Sequence, residues 1–346
     1  MMKFTFFVPL MLAFHSFGQD TITTIAFGSC GHQDKPLTMY QNIVAHHPDL
    51  FIFLGDNIYA DTKDMKVMKQ KYQKLADNPN FQLLKNTTSI IATWDDHDYG
   101  QDDTGKYYPK KKASKKIFLN FFDEPKCSER YKHEGIYTSY EYTVNGKKLQ
   151  IILLDLRTFR DNLLPYDGAL KADTNYRYHL DYSQQFSPDS TIMGAEQWAW
   201  LKTELSKPAD VRIIGSSTQF ATQYNGYETW ANFPLEQEKM FQLIKETKAN
   251  GVVFISGDVH YSELCKMETA TTPYPIYDLT SSGLTEEWKF ATPNKYRIGN
   301  AVMNNHFGLI TIDWNKTFPE VKMEIWDNKD QVRILQTVSM QELQVK

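Results

Sequence analysis

Six short apolar runs punctuate the first three quarters of the chain: TITTIAFGS, DLFIFLG, TSIIATW, LQIILLD, VRIIGSS and GVVFISG. Each is nearly continuous and rich in β-branched residues, whereas a strand with one wet face would alternate. They therefore predict strands buried on both faces. Between several of them the apolar positions recur with a helical period, which predicts helices at Leu37–His46, Met65–Ala76, Ala113–Phe122, Ala195–Leu205 and Leu235–Ala249. Strand and helix in alternation imply an α/β layer structure. The tail differs, since YPIYDLTSS, FGLITIDW, PEVKMEIWD and VRILQTV succeed one another without a long helix and predict an antiparallel meander. Residues 161–191, rich in Tyr, Asp, Pro and Ser without a period, read as a long surface excursion. No fixed repeat or low-complexity linker divides the rest, so residues 19–346 are expected to form one domain.

Of the 346 residues, 41% are hydrophobic and 14% aromatic, enough for a large core, while a formal net charge of -4 offers no electrostatic footprint for nucleic acid. The N-terminus changes the picture more. In MMKFTFFVPLMLAFHSFGQD one lysine precedes an apolar run from Phe4 to Phe14, and small residues come after it at Ser16 and Gly18. That is the pattern of a secretory signal peptide over residues 1–18, cut near Gly18–Gln19. The run is shorter than the roughly 20 residues that span a bilayer. Export to the periplasm or the extracellular space is expected, without a membrane span. Three cysteines, Cys30, Cys127 and Cys265, leave at least one thiol unpaired or committed to a metal. A Cys127–Cys265 disulfide is one pairing the count allows.

The chemistry lies just beyond the end of each strand. Cys30 succeeds the first run; Asp56, Asn57 and Tyr59 the second; Asp95, Asp96, His97 and Asp98 the third; Asp155 and Arg157 the fourth; Asp258 and His260 the last. In α/β sheets ligands gather outside the carboxyl ends of the strands, so these groups can meet in one cleft. Several carboxylates forced together repel one another unless a cation neutralises them. Thiolate, phenolate and imidazole favour a transition ion, and a phenol with a pKa of about 10 binds usefully at neutral pH only to a strongly Lewis-acidic ion such as ferric iron. The remaining carboxylates suit a second, harder cation, with one Asp bridging the two. Such a site fits metal-assisted hydrolysis with a metal-bound hydroxide as nucleophile.

These residues resemble the calcineurin-like metallophosphoesterases. GDNIY is similar to the GDxxY block of purple acid phosphatases, in which the Asp bridges two metals and the Tyr binds the ferric ion. GDVH and WDDHD stand where that superfamily usually has GHxH and GNHD or GNHE. The resemblance is closer to the PhoD-type alkaline phosphatases, whose blocks are matched in order by GSC at 28–30, GDNIY at 55–59, WDDHD at 94–98, LDLR at 154–157 and GDVH at 257–260. It covers the chain from about Ile25 to about Leu335.

The resemblance implies an αββα sandwich of two mixed β-sheets flanked by helices. It also implies an Fe3+ set of Cys30, Asp56, Tyr59 and His260 beside a Ca2+ set of Asp56, Asp96 and Asp258, with Asp95 as the other candidate in its pair. Many of that group carry an arginine pair in the leader and a β domain before the catalytic part; here the expected leader shows no arginine pair, and Cys30 comes about ten residues past the expected cleavage point. The implied activity is that of an exported phosphomonoesterase acting on small phosphate esters. A phosphodiesterase or phospholipase D-like activity at the same metals is the first alternative, and an inactive scaffold acting as a binding protein the second. Arg157, with Arg160 in support, is expected to hold phosphoryl oxygens, and His97 to protonate the leaving alkoxide, or else to orient a ligand carboxylate.

Other residues carry weaker expectations. The lysine run PKKKASKK, Pro109–Lys116, reads as a solvated helix face or an anion-steering patch. Ser216, Ser217 and Gln219 come after a strand and are candidates to reach the site; His306 is expected in a surface turn; Trp198 and Trp200 are expected to pack in the core.

Overall fold

A computed structural model describes residues 22–168 and 180–345, so the expected signal peptide and the middle of the 161–191 excursion lie outside the described residues. In chain order the first part runs β1 (Thr24–Gly28), α1 (Met39–Ala45), β2 (Leu50–Leu54), α2 (Met65–Ala76), α3 (Pro79–Thr87), β3 (Ser89–Thr93), α4 (Asp96–Tyr99), α5 (Lys111–Phe121), β4 (Thr138–Val144) and β5 (Lys147–Leu153). It continues through β6 (Leu164–Pro165), β7 (Tyr182–Ser183), α6 (Gly194–Leu205), β8 (Val211–Ser216), α7 (Pro234–Glu246) and β9 (Val252–Ser256). The last part is β10 (Ser262–Met267), β11 (Ile276–Ser281), β12 (Arg297–Val302), β13 (His306–Asp313), β14 (Glu320–Asp327) and β15 (Val332–Ser339).

The strands form two large sheets, ordered β15-β14-β13-β1-β2-β3 and β12-β10-β11-β9-β8-β5-β4. Both are mixed: β1, β2 and β3 are parallel in the first, and β5, β8, β9 and β11 in the second. β2 shows why the layers stack as expected. Leu50, Ile52 and Leu54 join Ile151, Leu153 and Ile213 in the core between the sheets. Phe51 and Phe53 point the other way, among Tyr40 of α1, Met68 and Tyr72 of α2, Phe81 of α3 and Phe118 of α5. The second sheet takes Trp198 and Leu201 of α6 and Met240 and Ile244 of α7 into the first core. The result is an αββα sandwich.

The tail departs from a plain meander. Only β13, β14 and β15 form one, on the first sheet, whereas β11 joins the second sheet parallel to β9. β4, β10 and β12 escaped the apolar reading because they are polar in composition, as in SELCKM and RIGNAV. All three cysteines are free; Cys127 is exposed while Cys30 and Cys265 are buried, so the 127–265 disulfide does not form. Trp198 is buried and Trp200 packs partly buried against the same core. His306 is not in a surface turn: it begins β13 fully buried, because its Nε2 accepts from the Ser282 N–H at 3.1 Å and its Nδ1 lies 2.7 Å from the Asn304 carbonyl oxygen.

Candidate metal centre

Parallel strands deliver their carboxyl ends to the same edge, and here the edges of both sheets meet. Cys30 comes after β1, Asp56 and Tyr59 after β2, Asp95 and Asp96 after β3, Arg157 after β5, Ser217 and Thr218 after β8, and Asp258 and His260 after β9. The local backbone is unusual at the centre itself. Cys30, Asp56, Asp258 and His260 all adopt positive φ, at 59°, 50°, 78° and 57°. Such conformations cost non-glycine residues free energy and persist where surroundings over-determine them. The glycine of each Gly-Asp pair answers a separate need. At Gly55 (φ 106°) a Cβ would come within 2.5 Å of the Asp95 Cβ, and at Gly257 within 2.5 Å of the Ser29 Oγ. Only glycine lets neighbouring loops of the first sheet close this tightly at Gly55, and loops of the two sheets at Gly257.

Cys30, Asp56, Asp95 and Asp96 form a buried floor, and Tyr59, His97, Asp258 and His260 a partly exposed mouth. Cys30 Sγ lies 3.3 Å from Asp56 Oδ2, and Tyr59 Oη lies 3.4 Å from the same oxygen and 3.2 Å from His260 Nε2. Ligand atoms of Cys30, Asp56 and His260 fall within 4.8 Å of one another, as do those of Asp95, Asp96 and Asp258. Asp56 also groups with Asp96 and His97, which puts it between the two sets. Two carboxylate oxygens, Asp56 Oδ1 and Asp95 Oδ2, are buried without a hydrogen-bond partner. A buried oxygen in that state costs about 1–3 kcal/mol or more unless something electropositive faces it.

The electrostatics of these groups favour a cation. Burial pushes the Cys30 thiol up to about 12, and lifts Asp56 and Tyr59 well above their ordinary values, with Cys30 adding to both. Desolvation, aided by Asp95 and Glu228, raises Asp258 likewise, and burial with Asp96 carries Asp95 to about 6 against the pull of Arg157. Asp96 is the exception: burial opposes its charge, but Arg157 and His97 outweigh it and hold the carboxyl low. At His97 burial is overcome by Asp56, Asp61 and Asp96, which push it up to about 11. A multivalent cation among these groups would favour the ionised thiol, phenol and carboxylates and release their protons. The donors present thus fit a pair of metal ions.

Arg157 and Arg160, expected at the phosphoryl oxygens, are fully buried and turned toward carboxylates instead. Arg157 donates from Nε to Asp95 Oδ1 at 2.5 Å and from Nη1 to both Glu228 oxygens at 2.9 and 2.8 Å, with Nη2 3.5 Å from Asp96. Arg160 Nε sits 3.1 Å from Glu228, and its Nη2 reaches the Asp103 carbonyl oxygen at 2.5 Å. The reason is desolvation: a guanidinium with no water must be met by anions. His97 Nδ1 lies 2.7 Å from Asp61 Oδ1, with Nε2 toward Asp96 and Asp102 at 4.0 and 3.9 Å.

At and after the end of β8, Ser217 donates to Asp95 Oδ1 at 2.7 Å and Thr218 Oγ1 to Asp258 Oδ2 at 3.4 Å, whereas Ser216 bonds the Thr218 carbonyl oxygen and Gln219 turns to Glu263 and Thr280. Asn57 braces the centre from behind, donating to the Thr93 carbonyl oxygen and to Asp98, whose other oxygen accepts the Asp95 N–H. Asp155 is a turn anchor, accepting from Trp94 Nε1 and from the N–H groups of Ile136, Arg157 and Thr158.

Sequence reading did not find Glu228, Asp61, Asp103 or Ser282. Glu228 lies in the aperiodic GYETWANF stretch, and Ser282, 3.1 Å from Cys30 Sγ, comes after a strand without a charge to mark it. Asp61 closes the GDNIYAD stretch, and its distance from the GD pair hid it.

Comparison with known proteins agrees with this geometry. Residues 25–305 match the PhoD-like phosphatase family. Alkaline phosphatase D of Bacillus subtilis (strain 168) is 23% identical over 278 residues, 69% of this chain, and the chain spans 46% of that relative's length. A solved structure of PhoD superposes with a TM-score of 0.65 at 16% identity, covering 92% of this chain and 71% of that one. A dimetal phosphatase from Danio rerio gives 0.58 at 11% identity, covering 93% and 100%. At such identities the structures speak for the fold alone, but the family match spans most of the sequence: the chain belongs to the PhoD-like phosphatases.

Proposed function

We propose that this protein is an exported phosphoesterase that hydrolyses small phosphate monoesters at a centre holding iron and calcium. The observation that carries the reading is the pair of unpartnered buried oxygens, Asp56 Oδ1 and Asp95 Oδ2, set among a thiol, a phenol, an imidazole and further carboxylates. Cys30, Asp56, Tyr59 and His260 suit ferric iron, because thiolate, phenolate and imidazole are ligands of a transition ion. Asp56, Asp95, Asp96 and Asp258 suit calcium, which prefers oxygen donors. Bound there, such ions supply Lewis acidity toward the phosphoryl oxygens and acidify water.

The chain's own residues do the rest. Arg157 orients Asp95 and Asp96 through Nε and Nη2 while Glu228 fixes its opposite edge, and Arg160 steadies Glu228. Both arginines are therefore positioning residues in this reading. His97, held through Nδ1 by Asp61, keeps a proton at Nε2, on the side of Asp96 and Asp102, where a departing alkoxide can take it. Export is supported by the apolar run Phe4–Phe14; among the described residues no helix is long and apolar enough to cross a membrane.

The test combines metal analysis, visible absorption and turnover of p-nitrophenyl phosphate and its bis ester. Expected are bound iron and calcium, a visible band lost in Tyr59→Phe, and faster turnover of the monoester. Faster turnover of the bis ester would move the assignment to a diesterase. A colourless, iron-free protein with full activity would overturn the iron set, and a metal-loaded protein inert on both esters would overturn the hydrolase.

A further inference from the structure

The lysine run of α5 is only partly a solvated face. Between α5 and the segment after it lies a cavity of about 540 Å³, whose lining includes Lys112, Lys115, Lys116 and Lys126 together with Tyr131 and Glu134. It shares no residue with the metal centre. Glu134 is already taken by Lys111, at 2.7 Å. Among the described residues none of the four lining lysines makes an ion pair with a carboxylate: Lys115 donates to the His133 carbonyl oxygen at 2.5 Å, and Lys126 to Asn120 Oδ1 and Tyr131 Oη at 2.9 and 3.0 Å.

Several lysines elsewhere in the chain do meet carboxylates, and neither of two other cavities gathers four that do not. Lys71 and Lys74 share Asp34 at 2.7 and 2.5 Å, Lys85 meets Asp123 at 2.7 Å, Lys106 meets Asp161 at 2.5 Å, and Lys207 sits between Glu141 and Glu204. With 42 acidic against 38 basic residues, partners are not scarce. Four like charges gathered around one concavity, with their only lining carboxylate committed elsewhere, set up a positive potential that attracts an anion. Lysine ammonium groups are compact, freely rotating donors suited to phosphate oxygens, and matching four of them takes more than one phosphate.

We infer that this cavity is a second, non-catalytic anion site, which takes a compact polyanion bearing two or more phosphate groups. The inference stands apart from the hydrolase reading, since it needs neither metal nor turnover.

The probe is cyclic trimetaphosphate, a tris-phosphate that chelates divalent ions weakly, titrated into the metal-loaded full chain by calorimetry at low salt, with thermal unfolding in parallel. Wild type should bind one equivalent and gain thermal stability, both fading as salt is raised from about 50 to about 300 mM. The Lys112→Gln/Lys116→Gln/Lys126→Gln variant should bind at least about tenfold more weakly. A control carrying Lys245→Gln, Lys248→Gln and Lys329→Gln removes the same net charge elsewhere and should bind like wild type. Equal weakening in both variants, or no binding by wild type to either trimetaphosphate or phosphatidylglycerol vesicles, would overturn the site. Vesicle binding without trimetaphosphate binding, lost in the cavity variant alone, would assign the phosphates to a lipid surface. The reverse pattern would assign them to a soluble ligand.

Discussion

At the metal centre Asp56, Asp95 and Asp96 crowd together with almost no access to water, whereas around the α5 cavity Lys112, Lys116 and Lys126 hold their charges in solvent. Two unit charges 4 Å apart interact by about 1 kcal/mol in water but by about 4 kcal/mol at the effective dielectric of a protein site. Like charges can therefore share a surface cavity cheaply and wait for a ligand. In the buried centre the same crowding is costly, and burial with neighbouring acids raises Asp56 and Asp258 above the ordinary carboxylate range, so protons or cations are favoured there. Burial, more than the sign of the charge, separates a resident cofactor site from an exchangeable ligand site.

The largest expected effect falls on the buried side. Asp56→Asn removes the group between the two metal sets and should lower turnover of p-nitrophenyl phosphate by about a thousandfold, equivalent to about 4 kcal/mol of barrier. Bound metal, iron and calcium on the proposed assignment, should fall with it, and a variant that keeps its metal and near-normal turnover would break the contrast. Next is Arg157→Met, which leaves Asp95 buried without its ion-pair partner and Glu228 with Arg160 alone. A loss of about 3–5 kcal/mol in urea unfolding is expected, and an unchanged midpoint would mean that water reaches the pair.

A third prediction concerns the wall behind the centre. Burial lowers His306 to about 4, so the folded state holds it neutral while the unfolded chain, with a value near 6.5, takes up the proton. Its contribution to stability is complete above about pH 6.5 and is lost as pH falls toward 4, amounting to about 3 kcal/mol. Unfolding measured from pH 7 to pH 4 should show that loss, and His306→Gln should flatten it. The smallest effect belongs to the exposed side: without anion, the triple lysine variant should melt about 1–2 °C higher than wild type at low salt and equally at high salt.

How much of this was legible depends on whether the signal was local. Phe51–Leu54 announces a buried strand by its own composition, and Asp56 and Tyr59 announce chemistry by their place at its end. α2 was read to the residue because Asp64 caps it, accepting from the Lys66 N–H, and Met68, Tyr72 and Leu75 keep the period. His306 was misread because what buries it is a groove at Gly283, where any Cβ would strike the imidazole, and a glycine 23 residues away leaves no mark on its neighbours. Glu228 was invisible for a similar reason: its charge makes sense only once Arg157 and Arg160 are known to be buried beside it. The polar edge strands β4 and β12 were lost because tertiary pairing, not periodicity, defines them, whereas α3 was overlooked despite its local start signal, an Asn78 cap followed by Pro79.

Cys127 stands one residue from Lys126, and it is the exposed thiol in a chain whose other two cysteines are buried, each with its acidity suppressed. Alkylating reagents need thiolate and access together, so a maleimide fluorophore should attach at Cys127 alone without any engineering. The dye would sit on the rim of the lysine cavity and away from the metals, giving an optical readout in which occupancy of one site can be tracked while the other is loaded, stripped or left at rest.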